Sequence, residues 1–367
     1  MHAHRTSSGK IDIKSFDLDG LNEFLRSIDE DPARATRIYQ ELWQRNVRHF
    51  SEMRSVAKNT KARLNELCEI HFLESRTVQQ ATDGCKKFLW QLPNGGTIES
   101  VLIPDLNRGN GLSDRITLCV SSQWGCAMKC SFCLTGDLGL RSQLRPSQIA
   151  GQIQQVSSQL LPNQRITNIV MMGMGEPLHN YKNLLSALRI MNSNFALRIS
   201  HRKITVSTVG LIPKLKKLAH ELPVNLAISL NATTEEQRRL VMPITVKYSL
   251  EELMETCRSL PLPPNKRITF EYVMMAGFND SLVDAARLVP LLKGIPAQVN
   301  LIPYNENPDR DIRRPAFEQV KAFQTYVVSR GIHCSIRATR GIDISAACGQ
   351  LGKAAQKLNS TPAAVGV

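Results

Sequence analysis

The sequence predicts an α/β protein: an incomplete (β/α)6 barrel of the TIM-like kind, with a small N-terminal helical domain and a β-hairpin ahead of it. Three observations carry this. From Ile116 onward, β-rich apolar runs alternate with amphipathic helical patterns, which is the signature of a parallel sheet covered by helices. The first seventy residues instead show apolar residues at three- and four-residue spacing, the period of a helix face. Between the two, CKKFLWQL and TIESVLIP flank Pro93-Asn94-Gly95-Gly96, a turn whose Asn-Gly accepts positive φ and so joins two strands as a hairpin.

Taken in order, helices are expected over Gly20–Ile28, Pro32–His49 and Ser55–Ile70. Leu21, Phe24, Leu25, Ile38, Leu42, Trp43, Phe50, Met53 and Leu64 would form a small separate core for them. The hairpin follows, and the linker RGNGLSD (108–114) leads into the barrel. Barrel strands are expected at 116–122, 166–173, 203–208, 224–230, 267–275 and 298–304, with a further strand at HCSIRAT. Helical patterns such as SQIAGQIQQVSSQLL, YKNLLSALRIM and IPKLKKLAHEL separate them. The resulting division is a helical accessory unit over 1–75, a hairpin and linker over 76–114, a barrel over 115–351 and a flexible tail over 352–367.

Composition bounds the function. With 42% hydrophobic and 21% charged residues in 367, the chain can bury a large core, which excludes wholesale disorder. It has no apolar run of membrane-spanning length and no secretory leader pattern at MHAHRTSSGK, so a cytoplasmic protein is expected. The net charge of +14 is uneven: residues 101–250 carry 17 Lys or Arg against 7 Asp or Glu, while residues 1–100 carry 15 against 14. A plain solvated surface and a polyanion-binding one fit that excess equally well on charge alone. Nine cysteines, an odd number, argue against a disulfide framework.

Four of those cysteines fall within fifteen residues, and three form Cys126-Ala127-Met128-Lys129-Cys130-Ser131-Phe132-Cys133, a CxxxCxxC directly after the first barrel strand. Three close thiolates on a loop suit three irons of a 4Fe-4S cluster, with the fourth iron left for an outside ligand. A structural zinc site is the competing reading, but it usually takes four ligands in two pairs, and no second CxxC is present. Other polar motifs fall at the C-terminal ends of successive strands, where barrel enzymes build their sites. Gly175 and Glu176 lie in GMGEP after the second strand, Ser207 ends the third, Ser229-Leu230-Asn231 end the fourth, and Asn305 follows the sixth. Singly each is an ordinary loop or cap residue; their shared rim is what points to a ligand.

LCVSSQWGCAMKCSFC, MMGMGEPL, KITVSTVG, AISLNA, EYVM, NLIPYN and TRGIDISAACGQL, in this order, resemble the radical S-adenosylmethionine (SAM) adenosine methyltransferases of the RlmN/Cfr type. The resemblance runs from Glu99 to about Leu351, and AACGQL is its most specific element. It implies a radical SAM barrel, one 4Fe-4S cluster on Cys126, Cys130 and Cys133, and two SAM per turnover bound near Gly175, Glu176, Ser207, Ser229, Leu230, Asn231 and Asn305. It also implies that Cys348 carries the methyl group, that Cys119 resolves a protein–RNA adduct through a disulfide with Cys348, and that Glu99 accepts the ring proton. A radical route suits the chemistry, because an adenine ring carbon offers no lone pair to a SAM methyl group.

The implied reaction is methylation of carbon 2 of an adenosine in the peptidyl transferase region of 23S rRNA, and of the adenosine 3' to the anticodon in some tRNAs. Carbon 8 of the same rRNA base is the alternative, and a non-catalytic iron–sulfur RNA-binding protein is an alternative of another class. The implied partners are 23S rRNA, tRNA and a one-electron reductant such as flavodoxin, with the enzyme acting as a monomer. Two departures stand out: Asn231 occupies a position where the family commonly has His, and Leu134-Thr135-Gly136-Asp137 differs from its usual sequence after the last cluster cysteine. Cys68, Cys85, Cys257 and Cys334 match nothing catalytic and are expected in packing.

Overall fold

The computed structural model describes residues 4–105 and 115–352. The expected linker over 108–114, and the expected tail apart from Gly352, lie outside the described residues.

The N-terminal unit holds β1 (Ile11–Asp12), α1 (Leu18–Ser27), α2 (Ala35–Trp43), α3 (Lys58–Leu67) and β2 (Cys68–Glu69), with β1 and β2 paired in parallel. Helix α1 begins two residues before the periodic pattern because Asp17 caps it, accepting from Gly20 N at 2.9 Å. Helix α2 stops at Trp43 instead of continuing to His49: Asn46 adopts a left-handed φ of 56°, which α-helical geometry cannot contain. All nine expected core residues are buried together. They do not form a separate core, however, because Ala150, Ile190 and Ala196 of the barrel join the same cluster.

Polar contacts reinforce that docking. Asp12 accepts from Ser15 Oγ at 3.0 Å and from Ser147 Oγ at 2.5 Å. Lys14 donates to Gln154 at 2.6 Å and sits over the Phe72 ring at 3.9 Å. Burial drives Lys14 down from 10.5 to about 7, partly opposed by Asp12. A lysine whose pKa is depressed on folding binds fewer protons when folded, so stability rises with pH between about 7 and 10.5. Thermal unfolding of the wild type and Lys14→Met across that interval should show the wild type gaining stability relative to the variant. Parallel pH profiles would show that Lys14 stays charged.

Strands β3 (Glu74–Gln80), β4 (Lys86–Gln91), β5 (Thr97–Pro104) and β6 (Ile116–Cys119) are followed by β7 (Gln123–Gly125), α4 (Leu134–Asp137), β8 (Leu140–Gln143) and α5 (Pro146–Ser157). The barrel continues through β9 (Asn168–Met171), α6 (Tyr181–Asn192), β10 (Ile204–Thr208), α7 (Ile212–Glu221), β11 (Asn225–Ser229), α8 (Glu235–Val241) and α9 (Leu250–Ser259). It ends with β12 (Ile268–Met274), α10 (Leu282–Leu291), β13 (Ala297–Pro303), α11 (Phe317–Ser329) and β14 (His333–Ile336).

Ten strands form one sheet in the order β14-β13-β12-β11-β10-β9-β6-β5-β4-β3. From β6 to β14 all neighbours are parallel, the arrangement expected from the βα rhythm. The hairpin extends this sheet, since β5 runs antiparallel to β6 with Val101 opposite Cys119. Strand β3 is not expected from the sequence: ESRTVQQ is exposed along its whole length, and a polar edge strand carries no apolar alternation to read. The main core lies between the sheet and its outer helices. No helix among the described residues is long and apolar enough to cross a membrane.

Candidate active site

The cysteine loop leaves β7, which pairs with β8 as a small ribbon at the C-terminal rim of the barrel. Cys126, Cys130 and Cys133 line a single cavity of about 160 Å³, together with Gly175, Glu176, Ser207, Ser229, Asn231, Asn305 and Cys348. The parallel register accounts for this convergence: residues from neighbouring strands meet wherever each strand ends. Leu230 is the exception among the rim residues. Its side chain is buried in the main core, and its backbone N–H donates to Glu271 O at 2.9 Å.

Two glycines shape the GMGEP turn. A Cβ on Gly173 would stand 2.7 Å from the Val120 carbonyl carbon, and Gly175 has φ 99°. Glu176 is buried and accepts from Leu178 N at 3.1 Å and Val209 N at 3.0 Å, and burial pushes its carboxyl up to about 7. Asn231 adopts φ 58°, a conformation Asn tolerates better than most residues. Its Oδ1 accepts from Val273 N at 2.8 Å and its Nδ2 contacts Met242 Sδ at 3.3 Å, so most of its polarity is spent on holding the loop.

The Cys348 loop is stapled to the cysteine loop and the hairpin. Leu134 N donates to Gly349 O at 2.8 Å, and Thr135 Oγ1 donates to Leu351 O at 2.8 Å. Asn305 Nδ2 donates to Cys348 O at 3.0 Å, while its Oδ1 is buried with no partner. Cys119 is buried at the end of β6, close enough to Cys348 that the two sulfurs interact electrostatically; burial, aided by Cys348, pushes Cys119 up to about 12. Glu99 is fully buried rather than solvent-facing. Its Oε2 accepts from Gly352 N at 2.6 Å and its Oε1 lies 3.4 Å from Lys87 Nζ, and it lines neither this cavity nor the one beside it.

The donor set suits an iron–sulfur cluster. Among the described residues no group of three His, Cys, Asp or Glu is arranged to hold a single metal ion; the three loop thiols instead border a cavity. Burial raises the pKa of all three, which keeps them neutral until a cationic group draws off their protons. The orphaned Asn305 Oδ1 and the buried Glu176 supply acceptors facing the same space. All nine cysteines are free thiols, and Cys68, Cys85, Cys257 and Cys334 are buried as packing residues.

Four residues not identified from the sequence complete the site. Arg310 donates to Ser131 O, to Cys133 O at 3.1 Å and to Asp137 at 2.7 Å, so the divergent Asp137 anchors the loop. Arg238 holds the loops after β10 and β11 through their carbonyls. Arg337 and Glu271 line both this cavity and a second one of about 540 Å³ inside the barrel. Cys348, Cys119 and Glu271 surround Arg337 and, Cys348 foremost, hold its guanidinium firmly charged. Glu271 lies on β12 in the EYVM stretch and Arg337 one residue past β14; what marks them out is their inward phase, which cannot be recognised until the barrel closes around them.

The Radical SAM superfamily profile matches residues 120–289, and that of the ribosomal RNA large subunit methyltransferase N-terminal domain matches residues 11–70. The dual-specificity RNA methyltransferase RlmN of Pelobacter propionicus is 46% identical over 93% of this chain and 96% of its own length. Its namesake from Geobacter sulfurreducens is 44% identical over 93% and 92%. Among solved structures, a radical SAM methyltransferase from Sphaerobacter thermophilus superposes with a TM-score of 0.84 at 36% identity, covering 92% of this chain and 98% of that one.

Proposed function

The chain belongs to the RlmN family of radical SAM RNA methyltransferases, and from that premise we propose that it methylates carbon 2 of an adenosine in 23S rRNA and in some tRNAs. The observation that carries the reading is the position of Cys348: its loop borders the cavity lined by the three cluster thiols, with Cys119 beside it and Arg337 between cavity and barrel interior.

Cys126, Cys130 and Cys133 would hold the 4Fe-4S cluster, and Glu176, Ser207, Ser229, Asn231 and Asn305 would surround SAM. When bound, cluster and SAM supply the methyl group and a one-electron cleavage that creates a hydrogen-abstracting carbon radical. The chain's own residues do the rest. Cys348 Sγ loses its proton and takes the methyl group. That methyl then gives one hydrogen atom to the carbon radical, and the remaining methylene radical adds to the adenine carbon. The adduct gives up one electron to the one-electron redox partner and its ring proton to Glu99, which restores the aromatic ring. Cys119, its thiol proton removed, then attacks Cys348 Sγ. The S–C bond breaks with its electron pair on the methylene carbon, and a proton taken up there completes the methyl group. The disulfide left behind is reopened by two electrons from the same reductant. Asn305 and Gly349 hold the Cys348 backbone on the cavity wall throughout. A non-catalytic iron–sulfur protein has no use for this thiol pair.

Two features support carbon 2 over carbon 8: the curated relatives carry the RlmN name, and residues 11–70 match its N-terminal domain. Anaerobically reconstituted protein, supplied with SAM, a chemical one-electron reductant and unmodified 23S rRNA, should yield 2-methyladenosine on nucleoside mass spectrometry. Obtaining 8-methyladenosine without 2-methyladenosine would overturn the assignment.

A further inference from the structure

Three features at the other end of the barrel belong together. The first is a short sequence repeat. Arg115-Ile116-Thr117, Lys203-Ile204-Thr205 and Arg267-Ile268-Thr269 each put a cation directly before a barrel strand whose first two residues are isoleucine and threonine, and Arg165-Ile166-Thr167 immediately precedes β9. All four isoleucines are buried. Each anchors the chain at or just before a strand start and fixes the preceding cation at the N-terminal rim.

The second is the charge of that rim. It surrounds a basin of about 920 Å³ lined by Arg165, Arg198, Arg202, Lys203, Lys266 and Arg267, and among the described residues no carboxylate lines it. Lys266 is pushed below its usual range by burial and then by Arg202. The negative ends of helix dipoles meet this face and attract cations, but that does not explain cations placed close enough to repel one another with no acid between them. Such a cluster is complementary to phosphate.

The third is the barrel interior. Complete barrels fill it with layers of branched apolar side chains. Here the inward positions carry Thr269, Gln298 and His333 in one row and Glu271, Asn300 and Ser335 in the next, matched by the register of β12 to β14, with Thr205 of β10 lining the same space. They are already hydrogen-bonded to one another: Gln298 to Thr269 at 2.8 Å, Asn300 to Glu271 at 2.7 Å and Ser335 to Asn300 at 3.3 Å. The cavity they line shares Thr205, Thr269 and Gln298 with the basic basin below, and Glu271, Arg337 and Cys348 with the cluster cavity above. From Thr269 to Val273 the path is four strand steps, about 13 Å, a depth that a flipped nucleotide can enter from the end of the barrel.

Resting on the RNA reading above, we propose that RNA docks on the basic N-terminal rim of the barrel and that the target adenosine reaches Cys348 through the polar lumen. The C-terminal rim is left to the cluster and SAM. The rim cations hold phosphates and fix the register, while Gln298, Asn300 and Glu271 present hydrogen-bonding groups to the edge of the base.

The test uses the full-length protein and a 23S rRNA stem-loop containing the target. Affinity is measured across salt concentrations for the wild type, for Arg202→Ala/Lys266→Ala on the rim, and for Lys214→Ala/Lys217→Ala on the outer face of α7. Removing one cation that neutralises a phosphate lowers the salt slope by about 0.7 to 0.9. The rim pair should therefore flatten it and the α7 pair leave it unchanged. An unchanged rim slope, or flattening by the α7 pair alone, would overturn the docking face. A photo-crosslinking residue replacing Arg165 should capture the stem-loop, whereas capture only from one replacing Lys129 on the cluster side would overturn the route. Wild-type protein that methylates no adenosine refutes the function itself; wild-type methylation with an unaltered rim slope refutes only this inference.

Discussion

Replacing Cys119 by alanine is expected to stop turnover at a covalent protein–RNA adduct that survives denaturation and is trimmed by nuclease. Replacing Cys348 should abolish methylation with no adduct at all. The difference follows from the role proposed for each sulfur: Cys348 would carry the carbon that joins the base, so without it no bond to RNA would form, whereas Cys119 would act only on a bond already made. The geometry suits the two roles. Cys348 lines the cluster cavity, whereas Cys119 is buried in the core at the end of β6 and lines neither that cavity nor the lumen. A neutral, buried Cys119 is a poor nucleophile until its proton is removed, and Arg337 beside both sulfurs stabilises the thiolate that results. Free turnover by Cys119→Ala would refute the resolving role; an adduct in Cys348→Ala would refute the methyl-carrying role. Glu99 accepts from the Gly352 N–H in the state described, so the proton-acceptor role proposed for it would require the end of the Cys348 loop to lift away.

Replacing Arg238 by alanine should be the most damaging change outside the reacting residues. The guanidinium is 1% exposed and donates to Val209 O at 2.8 Å, Ser229 O at 3.2 Å, Leu230 O at 3.3 Å and Thr245 Oγ1 at 2.8 Å. Each buried acceptor left without a donor costs about 1–3 kcal/mol, and the partners are three carbonyls and a hydroxyl, so no unpaired charge is left behind. Chemical denaturation should therefore show a loss of at least about 3 kcal/mol from the orphaned acceptors. SAM affinity should fall with it, since the same carbonyls shape the loops that hold Glu176, Ser229 and Asn231. A variant of unchanged stability would show that water replaces the guanidinium.

Much of the site could be read from the chain because its chemistry is local. Three cysteines on one loop, and polar residues at strand ends, announce themselves by spacing. Glu99 could be read only through resemblance, since a carboxylate on a strand has no local mark distinguishing a buried position from an exposed one. Arg238 and Arg310 escaped because an arginine on a helix or in a loop resembles surface charge until its carbonyl partners are brought to it. The basic excess of the middle segment was visible as a number, but the fold divides it. Arg198, Arg202 and Lys203 face the basin below the lumen. Lys214 and Lys217 lie over Tyr181 on the outer surface, and His201 is partly buried, its pKa lowered by burial and by Lys266.

By itself, then, the sequence determined the period of the elements with an apolar face, the parallel order of the barrel strands and the loop that carries the thiols, because these depend on residues within a few positions of one another. Tertiary structure alone decided that the hairpin continues the barrel sheet, that the N-terminal helices share a core with α5 and α6, and that Cys119, Arg337 and Cys348 meet. Those outcomes depend on which strand faces inward and on pairings between residues as far apart as Glu99 and Gly352, 253 positions along the chain. Closing such distances costs entropy that only the assembled core repays, so no local pattern could reveal them.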